Sequence, residues 1–585
     1  MEHFNQQDNI SRQNKTRYMR SIVYNWLVSI GEKYSQRARI AQAGMILVDM
    51  YCDVKQITRQ SYQMVGCAGL YLAAVFDSIS YPSLDELAYM SRRTYTTENI
   101  VACAKEMLIM FGFARLSENT PIDVLVKEWQ YMYKQFDSET GKDMFFLAKY
   151  ICSEMVSQFE WREYDVVKLA KACLDVAIAC CLAKDLQSLV QTSDECRFVY
   201  KCWANSAERE YANDVKKLYS DQLYRSVAKR VVPWVHFTSP KVGAPQRGDT
   251  LESINLFLPE DPLYLKNLTK RFTKHRNLGS GGYANVYEIS LDNKPERYAM
   301  KECQCDEVDL KTDSIREIHA LSKLKHKNIV VLKGYYFGES AVYIVMELLG
   351  HTLLKTVCPT GTPRCLFEDA GVEFKQPKNA IIAPWEVKMS WSKQLLSAVA
   401  YMHEQGIIHR DLCPRNVMMG NTLKVIDFGI SRYVRNKDPS NSHTCLVTKW
   451  CYRAPEAHLT QVKQYGPALD VWSCACIIYE IFAGEACFYS EQEFDQVYAL
   501  RYIVKRLGAP ARGHEIWSWK NEDKLAMKSE KLSRKICKRD YKVGTGLKQV
   551  GDEKVEKILQ EMLTYSPNVR LTAQQAFERF NVLSP

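Results

Sequence analysis

Between Val231 and Lys266 the chain gathers Pro233, Pro240, Gly243, Pro245, Gly248, Pro259 and Pro262. Each proline removes a backbone donor and fixes φ, and each glycine loosens the backbone, so no regular element is expected to run through this stretch. It reads as a linker, and it divides the 585 residues into two parts that fold separately. At about 150 residues per domain, roughly four globular units are expected, more than one hydrophobic core can hold. With 46% apolar and 25% charged residues, the chain has the composition of folded protein rather than of a disordered segment.

The two parts carry different periods. Before the linker, apolar residues recur at three- and four-residue intervals, as in Ile22, Trp26, Leu27 and Ile30, and glycine is scarce, which predicts an all-α region. Turn signals at Tyr81-Pro82-Ser83, Ser117-Glu118-Asn119 and Asp137-Ser138-Glu139 cut it into helical lengths. A wider break before Asp143 predicts two bundles, 1–135 and 140–232, followed by the linker at 233–268. Beyond it, β-type runs such as Ala341 to Met346 predict a small mixed lobe at 271–350, and a largely helical remainder predicts a larger lobe at 351–585. The polar stretch from Val357 to Pro384, with Pro359, Gly361, Pro363 and Pro377, reads as an inserted loop.

Several classes are excluded. The longest apolar run, Val176 to Ala183, falls far short of the about 18 residues of a membrane span. The first twenty residues are polar and lack the apolar core of a secretory signal, so residence inside the cell, in nucleus or cytoplasm, is expected. The 20 cysteines are then expected as free thiols, and none falls into paired C-x-x-C knuckles. Lysine and arginine (78) exceed aspartate and glutamate (68) by ten, but they are dispersed, so neither nucleic acid nor membrane is an expected partner.

Chemistry enters with the glycine-rich run Leu278-Gly279-Ser280-Gly281-Gly282-Tyr283-Ala284-Asn285-Val286, where missing side chains let backbone N–H groups approach phosphates. Fifteen residues on, Lys301 ends a short strand pattern through Ala299 and is placed to neutralise phosphate oxygens, with Glu317 as its partner. Ile315, Ile318, Leu321 and Leu324 mark one face of the helix that carries Glu317. His409-Arg410-Asp411-Leu412-Cys413-Pro414-Arg415-Asn416 is followed eleven residues later by Asp427-Phe428-Gly429, and then by Ala454-Pro455-Glu456. Transfer of a phosphoryl group to a hydroxyl needs a carboxylate to orient and accept the proton, and oxygen ligands for Mg²⁺. Asp411 supplies the first; Asn416 and Asp427 supply the second. Five such motifs in the required order are not coincidence.

These residues make 271–580 resemble a eukaryotic protein kinase domain, and finer features resemble the cyclin-dependent kinase branch: Lys311 to Glu317, Tyr452 to Glu456, Leu469 to Ser473, Leu507 to Pro510 and Asn568 to Arg570. In that branch the last arginine, Arg570, pairs with Glu456. Met19 to Leu27 resembles the opening helix of a cyclin box and Gln63 to Ala68 its central helix; a weaker cyclin-like match follows from about Phe145 to Val231. The resemblance implies a multidomain chain, all-α tandem cyclin boxes followed by a bilobal α+β protein kinase fold. It implies an ATP- and Mg-dependent serine/threonine kinase with its activating cyclin in cis, an intramolecular cyclin–kinase contact, and protein substrates in cell-cycle or transcription control. The competing expectation is a scaffold in which cyclin boxes recruit partners and the kinase region is weak or inactive.

The resemblance also assigns further roles. The glycine-rich run from Leu278 to Val286, Ala299, Lys301 and Met418 contact the nucleotide, with Glu347 and Leu348 bonding adenine through the backbone. Arg316, Arg410 and Arg432 converge on a phosphorylated residue, for which Thr444 is the candidate beside Ser440 and Ser442, while Tyr283 occupies an inhibitory phosphotyrosine position. Arg453 favours proline after the phosphoacceptor. Met19, Ile22 and Trp26 match a substrate-recruiting patch of some cyclins.

Departures stand beside these matches. Most serine/threonine kinases carry a lysine at the position of Cys413, so Arg415 is the expected replacement cation, and an active enzyme is expected. Ala284 replaces the third loop glycine. Lys449 and Cys451 disturb the usual spacing before Arg453, which weakens the expected support of Asp411 by Thr448. On the cyclin side Asn25 replaces a buried acid, Ser29 a nearby acidic residue, and Ser61 and Ala104 stand where a lysine and a glutamate usually grip the kinase helix.

Overall fold

The computed structural model describes residues 12–31, 37–55, 57–77, 82–115, 120–132, 138–182, 184–207, 214–220, 227–229, 233, 261–280, 284–305, 311–357, 383–433, 449–459, 466–488, 499–510, 514 and 546–583. The chain falls into two units that part after Glu260.

The front unit is helical: α1 (Arg12–Gly31), α2 (Arg37–Val54), α3 (Arg59–Asp77), α4 (Leu84–Met90), α5 (Thr97–Arg115), α6 (Pro121–Met132), α7 (Ser138–Ser157), α8 (Val166–Cys181), α9 (Leu186–Thr192), α10 (Asp194–Ala207) and α11 (Asp214–Tyr219). Helix α3 is apolar on every side from Val65 to Phe76, and it packs against α1, α2 and α5. A helix without a polar face belongs in the middle of a bundle. Its approach to α2 is close: a Cβ on Gly69 would lie 2.6 Å from the Gly44 carbonyl oxygen. In the second bundle α7 holds the matching place, packed on α8, α10 and α11 with Leu147, Ile151 and Met155 buried.

One buried ion pair ties the two bundles together. Arg20 of α1 donates Nε and Nη2 to the Asp49 carboxylate, each at 2.8 Å, and Nη1 to the carbonyls of Val156 (2.8 Å), Ser157 (3.2 Å) and Gln158 (3.2 Å). Those carbonyls end α7, where helical oxygens lack partners and a cation is favoured. The buried stripe of α1 is Val23, Tyr24, Leu27, Val28 and Ile30. Ile22 lies off that stripe and is 47% exposed, while Met19 and Trp26 are half-buried. The sequence expectation that placed Ile22 on the packed face is therefore corrected by about one position around the helix.

The rear unit opens with a five-stranded antiparallel sheet, β1 (Phe272–Ser280), β2 (Ala284–Leu291), β3 (Tyr298–Gln304), β4 (Leu332–Phe337) and β5 (Ala341–Glu347), in the order β1-β2-β3-β5-β4. Residues 261–268, read as linker in the sequence, instead join this sheet's edge. Leu265 N donates to Tyr335 O and Tyr335 N to Leu263 O, both at 2.8 Å, and the Tyr335 hydroxyl donates to Asp261 at 2.9 Å. Leu268 is buried in the same core as Ile289, Met300, Ala341 and Val345. Helix α12 (Thr312–Lys323) lies on β4 and β5 with Ile315, Ile318 and Leu321 buried.

Below the sheet come α13 (Leu353–Val357), α14 (Trp385–Glu404), α15 (Pro455–Leu459) and α16 (Ala468–Ala483). Helix α16 is buried along almost its whole length and ends on Gly484, whose φ of 72° suits a residue without a side chain. The buried Glu456 carboxylate receives Arg570 Nη1 at 2.7 Å and Nη2 at 3.0 Å, and the guanidinium lies 5.1 Å from the centre of the Trp472 ring.

Candidate active site

The site is assembled by the sheet, α12, a loop fastened to α16 and a second loop bonded to the first. Val286 pairs with Lys301 across β2 and β3, and Ala299 lies between Glu288 and Met346. At the end of β1, Gly279 N donates to the Asn277 side chain at 2.8 Å, and Asn277 Nδ2 donates to Ser280 at 3.0 Å, which curls the strand end. Leu278 is exposed, and Ala284, Asn285 and Val286 resume on β2. Gly281, Gly282 and Tyr283 lie outside the described residues, as do Ser440, Ser442, Thr444 and Thr448.

Lys301 Nζ donates to Glu317 Oε2 at 2.7 Å and to Asp427 Oδ1 at 3.0 Å. Glu317 is 2% exposed, Lys301 20% and Asp427 43%. Burial opposes the charge on Lys301, but Glu317 and Asp427 outweigh it and hold its pKa above the usual range. Burial raises the Glu317 carboxyl, whereas the adjacent Lys301 holds Asp427 low, so Asp427 is the ionised, partly open member of the trio.

The loop bearing Asp411 is fixed by a carboxylate beneath it. Asp470 of α16 accepts from His409 N at 2.7 Å and from Arg410 N at 2.9 Å, and it meets His403 Nε2 at 3.0 Å. Burial would raise this carboxyl, but the bonds from His403 and the neighbouring His409 hold it low. Arg410 and Asp427 both have left-handed backbones, with φ of 69° and 64°. For such residues that costs about 1 kcal/mol each, and the bonds to Asp470 hold the first in place. His409 Nε2 faces Ile426 O at 2.9 Å while Asp411 N donates to His409 Nδ1 at 3.2 Å, which assigns the proton of the neutral ring to Nε2.

Asn416 Nδ2 donates to Asp411 O at 2.8 Å and Asp411 Oδ2 at 3.0 Å, and Ile426 N donates to Asn416 O at 2.9 Å. These bonds place Asn416 between the loop of Asp411 and that of Asp427. Burial, and then the charge of Asp427, push Asp411 up to about 7; the charge of Lys449 and the amide of Asn416 act the other way. Asp411 Oδ1 is buried with no hydrogen-bond partner among the described residues. Two carboxylates that repel each other, one of them partly open, beside a side-chain amide whose nitrogen is already committed, make a donor set that fits a hard divalent cation. No cluster of three or more His, Cys, Asp or Glu side chains suited to a metal is present among the described residues. A Mg²⁺ ion held by Asn416 and Asp427 would supply charge neutralisation for phosphate oxygens.

Other assigned residues are distributed around this centre. Met418 pairs with Thr352 and Lys424 on a short strand below the sheet. Glu347 N donates to Val331 O at 3.1 Å, so the backbone bond to adenine expected at Glu347 would use its carbonyl. Arg432 is buried with Nε and Nη1 unpartnered among the described residues, and burial together with the charges of Arg410 and Arg316 pushes its guanidinium below the usual range. Arg453 is buried. Arg415 sits half-exposed in the turn Pro414–Asn416, and Cys413 is 1% exposed with its thiol pushed far up by burial. The residue that sequence reasoning missed is Lys449. It was noted only as a disturbance of spacing, and its nearness to Asp411 arises from the folded path of the chain.

The protein kinase domain family model matches residues 272–580, more than half of the chain. The chain belongs to the protein kinase family. In this kinase a second family model, cyclin, N-terminal domain, matches residues 1–114, so a cyclin domain precedes a kinase domain of cyclin-dependent-kinase-like sequence. The kinase is 30% identical to cyclin-dependent kinase 2 of Caenorhabditis elegans over 325 residues, 53% of this chain and 78% of that one. It is 25% identical over 581 residues to a chain of Acanthamoeba polyphaga mimivirus whose name is that of a serine/threonine-protein kinase, covering 96% of this chain and 97% of the other. The kinase is thus an ATP-using serine/threonine kinase acting on protein substrates. No helix of the described residues is long and apolar enough to cross a membrane.

Proposed function

We propose that the chain is a Mg-ATP-dependent, proline-directed kinase of the cyclin-dependent type that carries its activating cyclin in cis. The observation that supports this most is the Lys301 ammonium shared between Glu317 at 2.7 Å and Asp427 at 3.0 Å, beside the Asp411 carboxylate. In this reading Lys301 holds nucleotide phosphates and Glu317 fixes Lys301. Asp411 orients the substrate hydroxyl and takes its proton, and Asn416 and Asp427 hold the metal. Bound Mg²⁺ supplies charge neutralisation on the phosphate oxygens. Arg453 selects proline after the phosphoacceptor, and Arg316, Arg410 and Arg432 receive a phosphate carried by Thr444, consistent with two guanidinium nitrogens of Arg432 that have no partner among the described residues. Residues 140–232 act as a second cyclin-like box, and the protein works inside the cell on proteins of cell-cycle or transcription control.

The cyclin region is proposed to shift the population toward the state in which Glu317 reaches Lys301. A tether of the length 234–260 gives an effective concentration of about millimolar, so no external cyclin is needed. The test is transfer of radiolabelled γ-phosphate to Ser-Pro and Ser-Ala peptides, with Asp427→Asn as control. A protease site is placed between residues 240 and 250, so that the same preparation is assayed before and after cutting. Metal-dependent transfer that prefers Ser-Pro and declines on dilution only after cutting supports the reading. Equal activity of the diluted, cut protein removes the cyclin from the mechanism.

A further inference from the structure

The chain leaves the sheet at Glu347, the last residue of β5, where it pairs with Tyr298. Three residues later it is caught again, where Gly350 N donates to Met419 O at 3.1 Å; a Cβ on Gly350 would lie 2.4 Å from that oxygen. The span between these fixtures holds Leu348 and Leu349, and in the kinase reading it carries the backbone that meets adenine. A base is told apart here only if the Glu347 carbonyl keeps one direction. Adenine presents an amino donor to such an acceptor, whereas guanine presents a carbonyl oxygen that cannot pair with it.

The side chain of Glu347 is committed to holding that direction. Its N–H donates to Val331 O at 3.1 Å and its Oε1 accepts from Val331 N at 2.8 Å, which closes a ring between the two residues. The same Oε1 accepts from Lys424 Nζ at 2.8 Å, and Lys424 Nζ also donates to Ile329 O at 3.2 Å. With Lys424 13% and Glu347 24% exposed, the pair is screened less than a surface bridge. Lys424 stands three residues before Asp427, in the lobe below the sheet. The two residues after it are held by other bonds: Val425 N donates to Asn328 O at 2.9 Å, Val330 N donates to Val425 O at 3.0 Å, and Ile426 N donates to Asn416 O at 2.9 Å. One short segment therefore fixes the adenine end of the site through Lys424 and leads directly into Asp427 at the phosphate end.

We propose that Lys424 is a positioning residue that sets nucleotide specificity: by anchoring the Glu347 carboxylate it fixes the direction of the Glu347 carbonyl, so that the site prefers an adenine nucleotide to a guanine one. This rests on the kinase reading, which places the base against that backbone. Lys424 touches no reacting atom. With its ammonium gone, the bonds of Val425 and Ile426 still hold the approach to Asp427, so the loss falls on base recognition rather than on the chemical step.

The test compares Lys424→Met, Lys424→Arg, Glu347→Gln and the double variant Lys424→Met/Glu347→Gln in the full chain, by calorimetric titration with Mg-ATP and Mg-GTP and by steady-state kinetics on a Ser-Pro peptide. Lys424→Met is expected to lower the ratio of ATP to GTP affinity by about tenfold and to raise the ATP KM by about tenfold, with kcat and the peptide KM little changed. Lys424→Arg keeps the charge and is expected to retain most of the preference. Glu347→Gln keeps an acceptor for Val331 N but removes the charge opposite Lys424, so it should match Lys424→Met, and the double variant should lose no more than either single one. A merely structural role would lower both affinities together and leave their ratio unchanged. A parent chain that binds ATP but transfers no phosphate defeats the kinase reading alone, and the affinity ratio then decides for or against Lys424. An unchanged ratio in Lys424→Met, additive losses in the double variant, or a parent that does not prefer ATP to GTP overturns the proposal.

Discussion

Each half of the molecule buries an ion pair that joins separate elements, Arg20–Asp49 in front and Lys301–Glu317 behind, and the two are built for opposite purposes. In the front unit Arg20, 1% exposed, is saturated: Asp49 takes two of its nitrogens and three carbonyls share the third. Nothing is left over for a ligand. In the rear unit Lys301 divides its charge between a buried glutamate and a partly exposed aspartate, and in the proposed function the second bond is one that a nucleotide and metal would replace. The first pair fixes a shape; the second holds a site ready. A buried charge with every donor used is architecture, and a buried charge with one negotiable partner is a reaction centre.

Breaking the pairs one at a time tests this contrast. The largest effect is expected for Lys301→Met, which should reduce turnover by about 10³-fold while the melting temperature moves little, because Glu317 is released from its ion pair and takes up a proton instead. Kinetics and calorimetry on the same preparation check both halves of the statement. If the variant melts much earlier, Lys301 is a structural residue after all.

Arg20→Met should reverse the pattern. Asp49 and the end of α7 lose their common partner, and a stranded buried carboxylate costs about 4 kcal/mol. Chemical denaturation followed by tryptophan fluorescence should show a front-unit transition moved to lower denaturant. A stability loss below about 1 kcal/mol would place this pair with the ordinary surface bridges.

The same contrast explains what was legible in the sequence. Lys301, Glu317, Asp411, Asn416 and Asp427 were identifiable because phosphoryl transfer requires those functional groups in that order, and the fold brings them together. The helical period marked α1 but not its rotation: Ile22 and Val23 are adjacent apolar residues, and only packing against α2 and α3 decides which of them is buried. Residues 261–268 looked like linker because Pro259 and Pro262 dominate the local signal. Their bonds go to Tyr335, more than sixty residues away, and no local rule reveals such a partner. Lys449 was hidden for the same reason, since its charge acts on Asp411 through the folded path of the chain and not through spacing.

The smallest expected effect comes from a third kind of buried carboxyl, one with no counter-ion among the described residues. Glu480, 1% exposed on α16, has the Tyr452 hydroxyl at 2.8 Å, and burial pushes its carboxyl up to about 7 against that single hydrogen bond. The unfolded chain releases this proton near the ordinary value of 4.5, so between there and about 7 the folded state binds more protons than the unfolded state. This group's contribution to stability therefore declines as pH rises through that window and is flat above it. Glu480→Gln keeps an oxygen for Tyr452 to bond and removes the titration. The variant should gain on the parent as pH rises from about 5 to about 8, with most of the gain made before about pH 7. Melting curves at four pH values read the difference directly. A constant offset across the series would mean that Glu480 is ionised in the folded protein, paired with a cation as Asp49 is with Arg20.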